Sequence, residues 1–329
     1  MQTRMRIAAV VAGLALMVGV AACGDDDDEG GAATTAAGAA TTAAGAATTA
    51  ASGETVKIGF ITKFPVDFYD TMVDAAKEWN ASHPEAELLF AQGASGTDDE
   101  GQIAAIESMV TQGVKAIAIT PTSPNVESAL QAAVDKGIKV VLVDNDIPGW
   151  DGKSSLVATD NLAGGKLAGA FMAEQLDPGA TIAILQGVPG APSLDDRVTG
   201  FKEALGDGFD IVATLPTDCD QTKGLNAAQD ILTANPDVAA IYGACGPPIL
   251  GALEALGSKQ VAVVGFDASP GEVEAILAGK QLASVAQFPA KMGALGADTA
   301  LKAALGEAVE ANIDTGTELV TKTNAAQFQ

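Results

Sequence analysis

Short apolar runs alternate with longer amphipathic stretches along most of the chain. VKIGFIT is followed by DFYDTMVDAAKEWNASH, AELLFAQ by DDEGQIAAIESMVTQG, and VKAIAIT by PNVESALQAAVDKG, after which comes KVVLVD. Beyond LAGGKLAGAFMAEQL the alternation resumes with TIAILQG, DDRVTGFKEALG, DIVATLP, QTKGLNAAQDILTANP, VAAIYGA, PPILGALEALG, QVAVVGFD and GEVEAILAGK. The short runs are almost wholly nonpolar, as strands covered on both faces must be, and the longer stretches carry helical spacing. This βαβα repetition predicts an α/β fold with parallel sheets and helices on both faces. Asp98 and Ser123-Pro124 stand where helix N-caps are needed, and Gly113, Gly137 and Gly257 follow helix ends.

In sheets of this kind ligands gather at the carboxyl ends of the strands. Those ends read Thr62, Gln92, Thr120, Asp144, Thr159, Gln186, Asp218-Cys219, Ala244-Cys245, Asp267 and Gln287. The set is mostly neutral or acidic, suited to hydroxyls or an amine and poorly suited to a polyanion. Formal net charge is −24, so a nucleic-acid partner is excluded for want of a basic footprint.

The N-terminus breaks the alternation. Arg4 and Arg6 precede an apolar run from Ile7 to Val20 that ends in Val20-Ala21-Ala22-Cys23. This reads as a signal peptide over residues 1–22, too short for a spanning helix. VAAC resembles the lipobox of bacterial lipoproteins, which makes Cys23 the expected site of lipidation and the membrane anchor. GDDDDEG and three copies of GAATTAA follow, with no large apolar side chain to bury, so residues 23–53 are expected to act as a flexible tether spanning roughly 25–30 Å. The acidic residues beside the anchor should be repelled by anionic headgroups.

Catalytic and metal-binding patterns are weak. The single histidine, His83, lies in a helix-to-strand connection with no nucleophile near it, which argues against a hydrolase triad. Gly164-Gly165-Lys166 lacks the spacing of a phosphate-binding loop. The run from Asp144 to Gly149 starts like a calcium loop but has Pro148 at a ligand position and Ser155 where the bidentate glutamate belongs. Asp218, Cys219, Asp220 and Cys245 match no zinc spacing. Asp98-Asp99 and Asp195-Asp196 precede helices, whose N-termini they stabilise. No enzyme activity, metal or cofactor is expected.

From about Val56 to Thr321 the chain resembles the periplasmic sugar-binding proteins of the ribose-binding type, the solute receptors of ABC importers. The segments that carry the resemblance are IGFITKFPVDFY, VVLVDND, VATDNLAGGKLAG, ILQGVPGAPSLDDRVTGF, PTDCDQTKGLNAAQDILTANPDV, VVGFDASP and SVAQFPAKMGALG. The resemblance implies two Rossmann-like lobes joined by three hinge crossings, with a solute in the cleft between them. By analogy, lobe 1 comprises residues 54–159 plus 288–316 and lobe 2 comprises 160–287 plus 317–329. The crossings fall near Thr159-Asp160, Gln287-Phe288 and Gly316.

Carried over residue by residue, the resemblance implies a ligand set of Thr62, Asp67, Phe68, Tyr69, Thr120, Asp144, Asn145, Thr159, Arg197, Cys219, Cys245, Phe266, Asp267 and Gln287. Phe68 and Tyr69 match an aromatic pair that sandwiches a sugar ring. Asp144, Asp267 and Arg197 match groups that bond sugar hydroxyls, and Gln287 matches the hinge glutamine. Val66 stands where ribose binders have asparagine, Asn145 replaces an arginine, Cys219 an aromatic and Cys245 an asparagine. The solute is thus expected to be a monosaccharide, polyol or amino sugar other than ribose, held in a rather acidic pocket. With Cys23 lipidated, Cys219 and Cys245 remain outside the cytoplasm and are expected to form a disulfide, two free buried cysteines being the alternative. The expected partners are a small carbohydrate or polyol and a membrane permease, the chain acting as a monomer. A sensory receptor of the same fold feeding a chemoreceptor or kinase is the alternative, and a LacI-type regulator is rejected because a signal and tether occupy the place of its DNA-binding segment.

Overall fold

The computed structural model describes residues 55–329. The expected signal peptide, Cys23 and the tether through residue 53 lie outside them. The chain runs β1 (Val56–Thr62), α1 (Asp67–Ala81), β2 (Ala86–Gln92), α2 (Asp99–Thr111), β3 (Ala116–Ile119), α3 (Glu127–Val134), β4 (Lys139–Val143), β5 (Ser155–Ala158), α4 (Asn161–Gln175), β6 (Thr181–Gln186), α5 (Pro192–Leu205) and β7 (Asp210–Pro216). It continues through α6 (Gln221–Ala234), β8 (Ala240–Gly243), α7 (Gly246–Leu256), β9 (Ala262–Asp267), α8 (Pro270–Leu277), β10 (Ala283–Ala286), α9 (Pro289–Ala304), β11 (Asn312–Asp314) and β12 (Glu318–Thr321).

Two six-stranded sheets result, ordered β11-β5-β4-β3-β1-β2 and β12-β10-β9-β8-β6-β7. Pleating sends alternate residues of each buried strand into different cores. In β4, Val141 and Val143 join one cluster with Phe60 and Met72, whereas Val140 and Leu142 join another with Ile106 and Leu130. The second sheet repeats the arrangement: Ile182 and Ile184 pack with Phe201 and Tyr242, and Ala183 and Leu185 with Ile231 and Ile249. This two-sided burial explains the nearly unbroken apolar runs.

One strand departs from the expected parallel pattern. β12 pairs antiparallel with β10, Ala283 opposite Thr321 and Ala286 opposite Glu318. The reason is the direction of entry. β10 ends where the sheets meet, and the chain returns from β11 of the other sheet through Thr315-Gly316-Thr317. β12 therefore starts at that end and runs away from it, while β11, approaching it, is parallel to β5. The chain passes between sheets three times, between β5 and α4, between β10 and α9, and between β11 and β12.

Close helix packing fixes the position of α5. A Cβ on Gly165 of α4 would sit 2.3 Å from the carbonyl oxygen of Arg197, so only glycine allows α4 to approach this near. Arg197 is thereby held on a buried turn of α5 facing the ends of β8 and β9.

Candidate functional site

A cavity of about 320 Å³ opens between the carboxyl ends of the two sheets, lined by Lys63, Phe64, Val66, Asp67, Phe68, Tyr69, Asp144, Asn145, Val188, Leu194, Arg197, Cys219, Cys245, Pro247, Leu250, Asp267 and Gln287 among others. That volume is at the small end of ligand pockets. All the non-glycine residues with positive φ among those described lie at the strand ends around it: Asp144 (67°), Asp218 (50°), Cys219 (54°), Asp267 (90°) and Ala268 (48°). Left-handed backbone costs about 1–2 kcal/mol per residue, and here it turns the chain sharply at the strand end so that the two aspartates face one another's lobe.

On the second sheet's side the polar groups are tied to one another. Arg197 donates from Nε to Asn161 (2.8 Å) and from Nη1 to the Ala244 carbonyl (2.9 Å) and Asp267 Oδ1 (3.2 Å). Its guanidinium lies 3.9 Å from the centre of the Phe266 ring. Asp267 also accepts from Gln287 Nε2 (2.7 Å) and, through Oδ2, from the Gly246 amide (3.0 Å). Gln287 Oε1 is buried and has no hydrogen-bond partner among the described residues.

The first sheet's side is less saturated. Tyr69 donates to Asp144 Oδ2 (3.3 Å), and the Asn145 amide reaches the same oxygen (3.4 Å). Asp144 Oδ1 bonds no described residue. Lys63, only 8 % exposed, likewise makes no hydrogen bond or ion pair with any described residue. Burial pushes its ammonium down to about 8, against the opposing pull of Asp144. Burial raises the Asp144 carboxyl, opposed by Lys63 and Arg197. Burial, then Asp144, raises the Tyr69 phenol well above its ordinary range. The two sides touch directly where Ser193 Oγ donates to Asn145 Oδ1.

Of the residues expected to form the site, Asp67, Phe68, Tyr69, Asp144, Asn145, Arg197, Cys219, Cys245, Asp267 and Gln287 line the cavity. Thr62, Thr120, Thr159 and Phe266 do not. Thr62 accepts from Gln92 Nε2 (3.1 Å), since the pleat turns it into the sheet and gives the cavity to Lys63. Thr120 contacts Met72 Sδ (3.9 Å), Thr159 meets Thr315 between two crossings (3.4 Å), and Phe266, wholly buried, supports Arg197 from below. Phe68 and Tyr69 meet edge to face at 5.2 Å rather than as parallel plates. Cys219 and Cys245 are joined by a disulfide, their Cα atoms 5.9 Å apart. His83 stacks on Trp79 at 4.0 Å, away from the cavity.

Lys63 was not legible as a site residue, and it offsets the acidity expected of the pocket. Lys63 and Arg197 offset Asp144 and Asp267, Asp218 is paired with Lys223, and the exposed Asp67 leaves the lining one negative charge in excess. The only hint in the sequence is that Lys63 immediately follows a strand-end threonine. Among the described residues no group of three or more His, Cys, Asp or Glu is placed to hold a metal ion, and no helix is long and apolar enough to cross a membrane.

Two α/β lobes with a hydrogen-bonding cavity at their strand ends define a cleft-type solute-binding protein. The chain belongs to the periplasmic binding proteins: residues 58–308 match the periplasmic binding protein domain. It is 38 % identical over 226 residues to the ribose import binding protein RbsB of Salmonella typhimurium, covering 67 % of this chain and 76 % of that one. Its fold is similar to an ABC transporter solute-binding protein from Mycobacterium smegmatis with bound glycerol, with 34 % identity, a TM-score of 0.78 and coverage of 83 % and 96 % of the two chains. A protein of the same class from Bacillus halodurans with bound myo-inositol gives 27 % identity, a TM-score of 0.78 and coverage of 83 % and 97 %.

Proposed function

We propose that this protein is the solute receptor of an ABC importer, capturing a monosaccharide, polyol or amino sugar between its lobes and presenting it to a membrane permease. The observation that carries this reading is that Lys63 and Asp144 Oδ1 bond no other described residue and Gln287 Oε1 is buried without a partner among them, all three residues lining one small cavity. A hydroxyl is both donor and acceptor, so a polyhydroxylated solute satisfies all three at once. Lys63 and Arg197 nearly offset the carboxylates of the lining, Asp67, Asp144 and Asp267, which favours a neutral or cationic solute over an anionic one. Ligands bound by the relatives, ribose, glycerol and myo-inositol, are of this chemistry.

The site comprises Asp67, Phe68, Tyr69, Asp144, Asn145, Arg197, Cys219, Cys245, Asp267 and Gln287, with Lys63 added. Lobe 1 is residues 54–159 plus 288–316, lobe 2 is 160–287 plus 317–329, and closure bends the three crossings. A solute favours the closed form only through contacts with both lobes. The family's extracytoplasmic role supports export by the signal at residues 1–22, anchoring through a lipid on Cys23 and a monomeric receptor on its tether. Cys23→Ser should release the protein from the cell surface, and retention of that variant in the membrane fraction would count against the anchor.

A thermal-shift screen of sugars, polyols, amino sugars and amines tests the function. A solute present at one hundred times its Kd adds about 2.7 kcal/mol to the native state, a clear rise in Tm. The reading expects stabilisation by at least one hydroxylated solute, and is overturned if none stabilises.

A further inference from the structure

The cavity lining contains both a bonded polar group and an apolar wall. Lys63, Asp144, Asn145, Arg197, Asp267 and Gln287 form one connected group, joined by hydrogen bonds or by mutual electrostatic influence. Away from it, Val188, Ala191, Leu194, Cys219 and Cys245 make a separate apolar cluster on the second lobe, with their sequence neighbours Ser193, Asp218 and Gln221 also lining the cavity. Pro247 and Leu250 of α7 extend that wall, and Phe64 and Val66 of the first lobe line the cavity too. The disulfide is part of this surface: it consumes both thiols and leaves sulfur and methylene in their place.

A fully hydroxylated solute filling the cavity would press hydroxyls onto the apolar side chains of this wall, and each one stripped of water there without reaching Ser193, Asp218 or Gln221 at its margin weakens binding. The C–H face of a sugar ring already has an aromatic surface in Phe68 and Tyr69, so the second wall is left for another part of the solute. We infer that the solute is amphipathic: an oxygen-rich head bonded by Lys63, Asp144 and Gln287, and an apolar substituent, such as a deoxy methyl, an O-alkyl group or an aryl aglycone, seated against the Val188–Leu194–disulfide wall. The inference rests on the cleft being a site for hydroxylated solutes and narrows that class.

Matched pairs test it. D-Ribose, D-allose and myo-inositol are titrated beside their mono-O-methyl, O-ethyl and phenyl derivatives, and the 6-deoxy form of the hexose, against the wild type and Val188→Thr. Val188 is half-buried and threonine has its shape, so the change adds one hydroxyl to the wall. At least one O-ethyl or phenyl derivative should bind about tenfold or more tightly than its parent, the gain expected for burying two or more carbon groups. Val188→Thr should shrink that ratio several-fold. General damage to the fold weakens parent and derivative alike and leaves the ratio unchanged. If every parent binds as tightly as its derivatives, or the ratio is the same in Val188→Thr, the amphipathic solute is wrong while the receptor reading stands. If no parent and no derivative binds, both fall.

Discussion

The two faces of the cleft are built from equivalent strand ends yet do different jobs. On the second lobe Arg197 is 3 % exposed and spends its donors on Asn161, the Ala244 carbonyl and Asp267, and Asp267 is closed off by the Gly246 amide and Gln287. On the first lobe Lys63 has no partner among the described residues, and Asp144 is held by two long bonds on one oxygen. One face is a nearly finished network that sets the cavity's shape, with Gln287 Oε1 still unbonded among the described residues, and the other holds more unused bonding capacity. Charge alone does not mark a ligand contact, because what matters is whether the charge is already satisfied within the protein.

The largest effect should come from the nearly finished network. Arg197→Met leaves the largely but not wholly buried Asp267 without its cation, and stability in urea unfolding should fall by about 3–5 kcal/mol. A loss below about 1 kcal/mol would break the distinction between the faces. Removing the disulfide by Cys219→Ser with Cys245→Ser opens a link between residues 26 apart, and the same measurement should show a loss of about 3.5 kcal/mol by loop entropy.

Lys63 should behave in the opposite way. Its folded value of about 8 lies below the ordinary 10.5, so between those values the unfolded chain binds more protons and stability rises with pH. The unliganded wild type should therefore gain about 2–3 kcal/mol relative to Lys63→Met between pH 8 and pH 10, read from urea midpoints at each pH. Solute affinity should fall over the same range as the ammonium loses its proton. A pH-independent difference between the two proteins would remove Lys63 from the group of unsatisfied charges. Smallest is the contact across the cleft: Ser193→Ala removes its bond to Asn145 and should shift the unliganded protein toward an open form by about 1 kcal/mol, visible as a larger radius of gyration in small-angle scattering.

The alternation of apolar runs was enough to read the strands and the helices over them, because burial on both faces writes itself locally into every strand. The antiparallel β12 was not legible, since its direction follows from the side on which the chain enters a sheet assembled from distant segments. The same division holds at the cavity. Asp144, Arg197, Asp267 and Gln287 could be found from strand ends and family resemblance. Lys63 could not, because one step of the pleat separates it from Thr62 and only the three-dimensional sheet decides which of the two faces the cleft. The Ser193–Asn145 contact joins residues 48 apart in different lobes, and no local pattern announces it.

The most direct test is calorimetric titration of the best stabilising hydroxylated solute against the wild type and Asp144→Asn, with urea unfolding of both proteins as the control. The account predicts one site per chain and a 10- to 100-fold weaker Kd for Asp144→Asn, the loss of a charge-assisted hydrogen bond of about 1.5–3 kcal/mol, with stability changed little. Equal affinity in the two proteins, or binding that is not one to one, would contradict it.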